Sequence, residues 1–419
     1  MRAIDRRYFA LLALRFVPTG LAMTVIVLLL QERGLSLAQI GVGIAAQGLV
    51  MLFLELPTGG LADAVGRKPV AVLAAVFALA ATGLLLVTDT VAMLAAAFAL
   101  QGVFRALDSG PLQAWYVDRA LAADPGADVV RLLGRAEVVV CCALGAGALG
   151  GALVVGLGGL PGVGPLASPV VLALAVQAAA VVAVVRLVDE PPRTDGTGWR
   201  AARAATAEVP AVVRDAVAAM RRSRLLAALV AAEFLWGFGM ISFETLLPAR
   251  MDELAGGPDR AAAILGPALT AAWAASALGS AVAPRLARRF GPGPTGSALR
   301  VAHGLTVTAM AIALGPAGLV AAYLATYLVH GTTNAVHYGM VHSAADSGRR
   351  ATILSANSLA AQAGGALSGI ALGALADATT VPIAMLAGAA ALAAAAPLYF
   401  VRHHRAEPAP SAWLVHDQV

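Results

Sequence analysis

The sequence predicts an all-α membrane protein with twelve transmembrane helices, and three observations carry this prediction. First, 59% of the 419 residues are hydrophobic and 13% are charged, whereas soluble domains carry roughly 45–50% apolar and about 25% charged residues. Second, twelve apolar segments are each long enough to cross a bilayer, which takes about 20 residues. Third, the basic residues collect on alternate connections between these segments.

Glycine, proline and charged residues separate the twelve apolar segments and mark the connections between them. The first segment follows Arg2, Arg6 and Arg7, as in a signal peptide. It is too long for a signal sequence and no small-residue cleavage site follows it, so we expect it to remain as the first helix. The predicted limits of the spans are 8–30, 37–62, 69–88, 91–116, 133–158, 166–188, 225–248, 261–284, 297–315, 317–341, 352–376 and 381–401.

The positions of the basic residues predict the orientation in the membrane. When the spans alternate, 23 of the 29 Lys and Arg residues fall on the side of the N-terminus and 3 fall on the other side. Cytoplasmic connections carry such an excess, so we expect both termini in the cytoplasm and a multi-pass protein of a bacterial cytoplasmic membrane. Because the bases are dispersed and form no compact basic face, we expect no nucleic-acid partner.

The longest connection, residues 189–224, divides the spans into two groups of six. Its first part is rich in Pro, Gly and Thr, and its second part carries valines on one helical face and charges away from it. This pattern predicts an amphipathic helix at the membrane surface. We therefore predict a six-helix bundle over 1–188, a cytoplasmic linker over 189–224, a second six-helix bundle over 225–402 and a cytoplasmic tail over 403–419.

A short internal echo indicates that the two bundles are pseudo-symmetric. Leu61–Gly66 follows the second span, and the related segment Leu286–Gly291 follows the eighth. Two equivalent bundles with a site between them near the membrane midplane are how many secondary transporters are built. The echo therefore places the functional site between the bundles.

The connection after the second span reads Gly59-Gly60-Leu61-Ala62-Asp63-Ala64-Val65-Gly66-Arg67-Lys68. In this segment the chain resembles the major facilitator superfamily, whose signature loop between helices two and three has the form G-x-L-A-D-x-x-G-R-K. The resemblance implies alternating access, with a loop that locks and releases the cytoplasmic helix ends. It carries this lock role to Gly59, Asp63, Gly66 and Arg67, with Lys68 beside them and Asp118 at the end of helix four as the acidic partner.

The resemblance further favours a bacterial member of the drug-efflux type. The segments Glu55–Gly59 and Arg350–Ser355 look like those of a subgroup of bacterial members. The drug-antiporter signature of helix five, a Gly-Pro followed closely by Gly-Gly, is not met, because the glycines between 145 and 151 have no proline among them. We therefore expect antiport without the support of a sequence motif.

Ionisable residues inside the spans are the candidates for binding a proton or a substrate, because each costs roughly 2.5–3.5 kcal/mol to insert. Arg105 and Asp108 are three residues apart, so they form a structural pair or face a cavity, where Asp108 would carry a proton. Arg15 either snorkels to the inner surface or faces the cavity. Glu233 and Glu244 lie three helical turns apart on a similar face, and we expect a proton or cation role for at least one of Glu55, Asp108 and Glu233.

Two further features have open interpretations. Glu55 is either such a carrier or a latch partner for Arg349 or Arg350. His330, Asn334 and His337 share a stripe of span ten, which either lines the translocation path or makes hydrogen bonds between helices. Too few ligands stand near this stripe for a metal site. The only cysteines, Cys141 and Cys142, are adjacent and are expected to serve in packing, so we expect no metal and no cofactor.

The function that these features favour is secondary transport of a small solute by alternating access, coupled to protons. The sequence contains no GxxxxGK[ST] segment for ATP hydrolysis. Efflux of lipophilic or cationic compounds is favoured over uptake of a sugar or metabolite, mainly on the resemblance. An intramembrane enzyme is the alternative from another class, but Ser109 and Ser276 have no His near them in sequence. We therefore expect no enzyme activity and a monomer whose partners are the solute, protons and the lipid bilayer.

Overall fold

The computed structural model describes residues 3–59, 61–108, 110–190, 214, 218, 220–344 and 350–401. All regular elements of this part are helices. Those of the first half are α1 (Ala3–Met23), α2 (Ile26–Glu32), α3 (Leu37–Gly59), α4 (Leu61–Val65), α5 (Arg67–Val87), α6 (Val91–Leu107), α7 (Pro111–Ala123), α8 (Val129–Gly156) and α9 (Ser168–Leu187).

The second half of the described chain contains seven α-helices and a short 3₁₀ helix at its end. They are α10 (Arg224–Glu244), α11 (Leu246–Ala255), α12 (Pro258–Phe290), α13 (Pro292–Ala311), α14 (Pro316–Ala344), α15 (Arg350–Ala378), α16 (Val381–Ala394) and the 3₁₀ helix Ala396–Phe400.

These helices account for the twelve predicted spans. Among the described residues, nine helical segments are long and apolar enough to cross a membrane, and the bent pair α1 and α2 makes a tenth. Helices α13 and α14, with 20 and 29 residues, are also long enough to span but are more polar. The predicted fold class, an all-α membrane protein, is therefore confirmed.

Three spans that the sequence predicts as single segments are broken. Helices α1 and α2 meet at an angle of 44°, and α10 gives way to α11 at Thr245. The predicted span 91–116 consists of α6 and α7, because Pro111 lacks an N–H and is suited to the first position of a new helix. Such breaks leave backbone groups free inside a membrane, which proteins tolerate where the break lies within the bundle or lines a cavity.

The two halves meet through two pairs of long helices, α3 with α15 and α8 with α12. Their backbones approach closely through small residues, as is usual in membrane bundles. A side chain added at Gly41 would collide with the Gly369 carbonyl, and one at Gly266 would collide with Ala148. The other helices of each half pack mainly against helices of the same half.

The two faces of the bundle are packed differently. We call the face where α5, α8 and α13 begin the arginine-rich face, and the other the opposite face. Toward the opposite face one hydrophobic core joins both halves, with Leu28 and Val155 in the same cluster as Phe243 and Leu265. Toward the arginine-rich face each half has a separate core. The molecule is therefore closed at the opposite face and divided at the arginine-rich face, which carries Arg67, Lys68, Arg131, Arg285, Arg288 and Arg289.

A polar contact reinforces the closure at the opposite face. The backbone N–H groups of Leu37 and Ala38, at the start of α3, donate to the carboxylate of Asp377 near the end of α15 at 3.1 and 2.8 Å. The carboxylate thus satisfies unpaired donors at a helix N-terminus and complements its dipole. Because α3 and α15 belong to different halves, this contact joins the two halves at the opposite face.

Equivalent glycines support the internal repeat. Gly66, between α4 and α5, has φ +113°, and Gly291, between α12 and α13, has φ +84°. Both values lie in the region that favours glycine, and both glycines immediately precede a helix at the arginine-rich face. The related segments Leu61–Gly66 and Leu286–Gly291 thus both end in a glycine with positive φ that precedes a helix.

Most of the predicted linker and the predicted tail lie outside the described residues. The amphipathic helix expected in the second part of 189–224 falls there, apart from residues 189, 190, 214, 218 and 220–224, and so do residues 402–419. The predicted domain boundaries at 188, 224 and 402 therefore stay predictions.

Candidate functional site

A cavity of about 520 Å³ lies between the two halves on the side of the arginine-rich face. Such a volume lies within the range of ligand sites, roughly 300–1,000 Å³. The first half supplies nearly all of the lining, from α1, α7, α8 and the break before α7. Trp273 of α12 is the lining residue from the second half. The polar and aromatic residues of the lining are Tyr8, Arg15, Phe16, Asp108, Gln113, Glu137 and Trp273.

An ion pair between Arg15 and Asp108 forms one wall of this cavity. Asp108 caps the C-terminus of α6 and its side chain is 4% exposed, whereas that of Arg15 is 28% exposed. The guanidinium of Arg15 also lies 4.7 Å from the ring centroid of Phe16. Spacing along the helix offered Arg105 as one possible partner of Asp108, whereas the observed ion pair of Asp108 is with Arg15 of another span. Arg105 is exposed, and α6 ends at Leu107. Arg15 therefore faces the cavity and holds Asp108 there.

The second half contains a buried charge network centred on Glu233 of α10, whose side chain is 2% exposed. Its Oε2 lies 3.6 Å from Nη2 of Arg300 on α13, which is fully buried, and 3.2 Å from Nε2 of His337 on α14. Three separate spans thus bring one acid and two bases together. Burying charges in this way is tolerable only when they are paired.

Tyr399 and Asn357 complete this network. The Nε of Arg300 donates to the hydroxyl of Tyr399 at 3.1 Å, and that hydroxyl lies 2.7 Å from Nδ1 of His337. The Nε2 of His337 lies 3.2 Å from the amide oxygen of Asn357. Because an amide oxygen only accepts, the network assigns the proton of a neutral His337 to Nε2, and Tyr399 then donates to Nδ1.

The network leaves some hydrogen-bonding capacity unused. Within the described part of the chain, neither Nη1 nor Nη2 of Arg300 makes a hydrogen bond, and neither does Oε2 of Glu233. Buried polar groups are nearly always bonded, and exceptions call for a catalytic role, strain or a bound water. The centre of the second half therefore has unbonded polar atoms at Arg300 and Glu233.

Glu244 belongs to a different cluster, nearer the opposite face. It accepts a hydrogen bond from the hydroxyl of Tyr327, whose ring lies 5.6 Å from that of His330. His303 is fully buried, and neither of its ring nitrogens has a hydrogen bond among the described residues. Glu233 and Glu244, which were expected on a similar face, therefore belong to two separate clusters of polar side chains.

The stripe predicted on span ten is divided between these two clusters. Asn334 lies 3.1 Å from Nε2 of His330, whose ring stacks on Trp236 with centroids 5.5 Å apart. His337 instead points into the network around Glu233 and is fully buried. The observed contacts are hydrogen bonds and ring contacts between side chains, and none of the three residues is among those that line the cavity.

At the arginine-rich face, Arg67 and Asp118 make the contact that the family motif implied. The Nη1 of Arg67 lies 2.5 Å from Oδ2 of Asp118. The carboxylate of Glu190, at the start of the predicted linker, accepts from the backbone N–H groups of Arg67 and Lys68 at 3.1 and 2.8 Å. Glu190 thus caps α5 from the end of the sixth span. The lock role assigned by resemblance to Arg67 and Asp118 stays a prediction.

Several predicted site residues cannot be placed by their contacts. The side chains of Glu55 and Asp63, and the surroundings of Gly59, lie outside the described residues. The expected contacts of Glu55 with Arg349 or Arg350 lie there too. In the described part of the chain, no group of three or more His, Cys, Asp or Glu residues is arranged to hold a metal ion, and the absence of a metal stays a prediction.

Sequence reasoning missed four residues that the structure brings to these sites. Arg300 and Tyr399 belong to the Glu233 network, Glu137 lines the cavity, and Glu190 caps α5. The signal for Arg300 was available, because an arginine inside an apolar span needs a partner. The same signal marks Glu137, an ionisable residue inside the predicted span 133–158. No local pattern marks Tyr399.

One family model matches most of the chain. The model of the Major Facilitator Superfamily matches residues 8–369. The fold is similar to that of the nucleoside transporter NupG, with a TM-score of 0.76, 15% identity and coverage of 95% of this chain and 98% of that one. A structure of a point mutant of NupG gives a TM-score of 0.78 at 15% identity over 94% and 98% of the two chains.

A second kind of solved structure has the same fold. It is a bacterial homologue of the human lysosomal transporter Spinster, described as inward-facing and unoccupied, with a TM-score of 0.72, 13% identity and coverage of 95% of both chains. A search of the curated proteins finds no match. At these identities the structural similarity shows the fold alone.

Proposed function

Because this chain belongs to the major facilitator superfamily, we propose that it is a secondary transporter that exports lipophilic or cationic compounds in exchange for protons. The observation that carries the proposal is that the two halves of the molecule contain different features. The first half lines a solute-sized cavity, and the second half buries an acid among titratable and basic groups. Charged residues inside membrane spans mark substrate and proton pathways.

The packing supports a cycle of alternating access. We take the arginine-rich face as cytoplasmic, following the bias of basic residues. The cavity then opens inward, while the shared core and the contact of Asp377 with α3 close the outer side. Outward opening separates this core and brings the inner ends of the bundles together, which is rocking of one bundle against the other.

The first test is flux in proteoliposomes that enclose DNA, with ethidium as a planar cationic probe and the membrane potential clamped by valinomycin and equal potassium. With an acidic interior, protons leave and an antiporter carries ethidium inward, so we expect fluorescence to rise faster than in protein-free vesicles. Nigericin, which collapses the pH gradient, should remove the difference. Uptake driven only by an alkaline interior would indicate symport and favour the nutrient-uptake alternative. Flux equal to that of empty vesicles would contradict the proposal.

The proposed lock gives a prediction of smaller size. Asp118→Asn removes the partner of Arg67 at the cytoplasmic ends of α5 and α7. Asp118 is 62% exposed, and exposed ion pairs contribute up to about 1 kcal/mol. We expect the rate of ethidium transport to fall by up to about fivefold, with binding unchanged, because the contact acts on the conformational step.

Asp89→Asn is the matched control for this variant, because it removes an exposed carboxylate from the opposite face. It should leave the transport rate unchanged. Weaker ethidium binding by Asp118→Asn, with an unchanged maximal rate, would contradict the lock.

A further inference from the structure

We propose that Glu137 on α8 and Trp273 on α12 form the recognition site for an organic cation in the cavity. The inference rests on the proposed transport of cationic solutes and assigns the side chains that select them. Both residues line the cavity, one from each half of the molecule. Neither belongs to the lock or to the Glu233 network.

The charges of the lining leave one carboxylate uncompensated. Arg15 and Asp108 form an ion pair, so together they contribute no net charge to the cavity. Glu137 is exposed in the cavity, and no ion pair or hydrogen bond connects it to the described residues. Arg135 lies two residues before it and so projects about 200° away around the helix. The lining therefore carries a net negative charge, which favours a cation and disfavours an anion.

The aromatic residues of the lining are not equally available to a ligand. One face of Phe16 is covered by the guanidinium of Arg15, and Tyr8 stacks on Tyr116 with ring centroids 4.1 Å apart. Trp273 is half-buried and contacts Tyr327 at an interplanar angle of 75°, centroid to centroid 5.8 Å. A single tilted ring contact covers at most one face of the indole, and tryptophan is the best aromatic partner for a cation.

The relative depth of the two residues suits an organic cation better than a bare ion. Thr270 Oγ1 lies 3.2 Å from the carbonyl oxygen of Gly145, which fixes the register of α12 against α8. Glu137 lies eight residues closer to the arginine-rich face than Gly145, and Trp273 lies three residues closer than Thr270. At 1.5 Å per residue the two side chains are offset by roughly 7 Å along the bundle axis. A ligand that touches both has a charged centre and an apolar body of several atoms.

Such a ligand would contact both bundles at once. A ligand shifts a conformational equilibrium only through its different interactions with the two states. Contact with Glu137 from one half and Trp273 from the other changes whenever the halves rotate against each other. The site therefore connects recognition of the cation to movement of the bundles.

The test is equilibrium dialysis of tetraphenylphosphonium against the purified protein in detergent, with protein-free micelles as the baseline. Tetraphenylborate has the same shape and the opposite charge, and it serves as the comparison ligand. We expect saturable binding of the cation only. Glu137→Gln should weaken that binding at least about tenfold, and Trp273→Ala should weaken it severalfold. Glu137→Asp and Trp273→Phe should retain part of the affinity, and Glu32→Gln, an exposed glutamate outside the cavity, should behave like the parent.

A native thiol provides an independent readout. Cys141 lies one helical turn after Glu137 and lines the same cavity, whereas Cys142 is not part of the lining. In a Cys142→Ala variant, tetraphenylphosphonium should slow the modification of Cys141 by N-ethylmaleimide. In a Cys141→Ala variant, the rate at Cys142 should not change.

Three results would overturn the assignment of Glu137 and Trp273. These are no saturable binding of tetraphenylphosphonium by the parent, equal binding of tetraphenylborate, or full affinity in Glu137→Gln when its elution and thermal unfolding match the parent. Binding in detergent needs no pH gradient. Cation binding at Glu137 without gradient-driven flux would therefore contradict the proposed antiport and leave this inference standing. Gradient-driven flux without cation binding at Glu137 would contradict this inference and leave the proposed antiport standing.

Discussion

Replacing Glu233 with glutamine is expected to abolish the dependence of ethidium flux on the pH gradient. The groups that face this carboxylate are Arg300 from α13, His337 and Tyr338 from α14, and Tyr399 from the 3₁₀ helix. A glutamine has nearly the same shape but cannot gain or lose a proton. If the cycle is driven by protonation at this point, the variant exchanges ethidium between equal pH values and does not accumulate it when the interior is acidic.

The comparison variants decide which acid carries the proton. Asp108→Asn and Glu244→Gln make the same chemical change at the other described candidates. We expect both to keep gradient-driven accumulation, because Asp108 is held in an ion pair by Arg15 and Glu244 is hydrogen-bonded to Tyr327. Full coupling in Glu233→Gln, with coupling lost in Asp108→Asn, would transfer the role to the first half of the molecule.

A folding defect in Glu233→Gln has its own control. The single change leaves the charge of Arg300 buried without its acidic partner. Glu233→Asp retains an ionisable group and should keep coupling at a reduced rate. The double variant Glu233→Gln with Arg300→Gln carries neither charge, so it should fold and remain uncoupled.

The membrane architecture could be predicted from the sequence because it follows from composition and length. Twelve apolar stretches and the alternation of arginines determine the number of spans without reference to any tertiary contact. The breaks within spans are different, because hydropathy averages over a window and does not register them. One signal was present, since Gly110-Pro111 in the middle of an apolar run is typical of a helix that ends and restarts.

The pairing of charges could be predicted only where a family motif supplied it. Arg67 and Asp118 are 51 residues apart, and their contact was inferred from the loop motif. For Asp108, spacing along one helix suggested Arg105 as a possible partner, whereas the observed ion pair is with Arg15 on another span. Spacing within a helix identifies neighbours on a face but carries no information about which helix packs there.

The polar stripe of span ten illustrates the same restriction. His330, Asn334 and His337 do lie along one side of α14, as the helical period requires. Their surroundings differ because α10 packs beside α14 and presents different side chains along its length. His330 contacts Trp236, and His337 contacts Glu233. The period places residues on a face, and the neighbouring helices decide what each residue does.

Arg300→Met is expected to destabilise the second half of the molecule strongly. The side chain is fully buried, and it contacts Glu233 and Tyr399. Removing one partner of a buried ion pair leaves the other charge uncompensated, which costs about 3–5 kcal/mol. We expect a large fall in the midpoint of thermal unfolding in detergent, measured by the fluorescence of the native tryptophans.

The double-mutant cycle separates loss of the charge pair from loss of packing. Arg300→Met is expected to destabilise because it leaves the charge of Glu233 buried without a partner. Adding Glu233→Gln should then restore much of the lost stability, since replacing both charges of a buried pair is often neutral. Arg300→Lys is the matched control. It keeps the positive charge but lacks the planar guanidinium that reaches Tyr399 and Glu233 together, so we expect intermediate stability. Additive losses in the double variant would mean that Arg300 and Glu233 do not act as a pair, and the proton site would then have to be sought around Asp108.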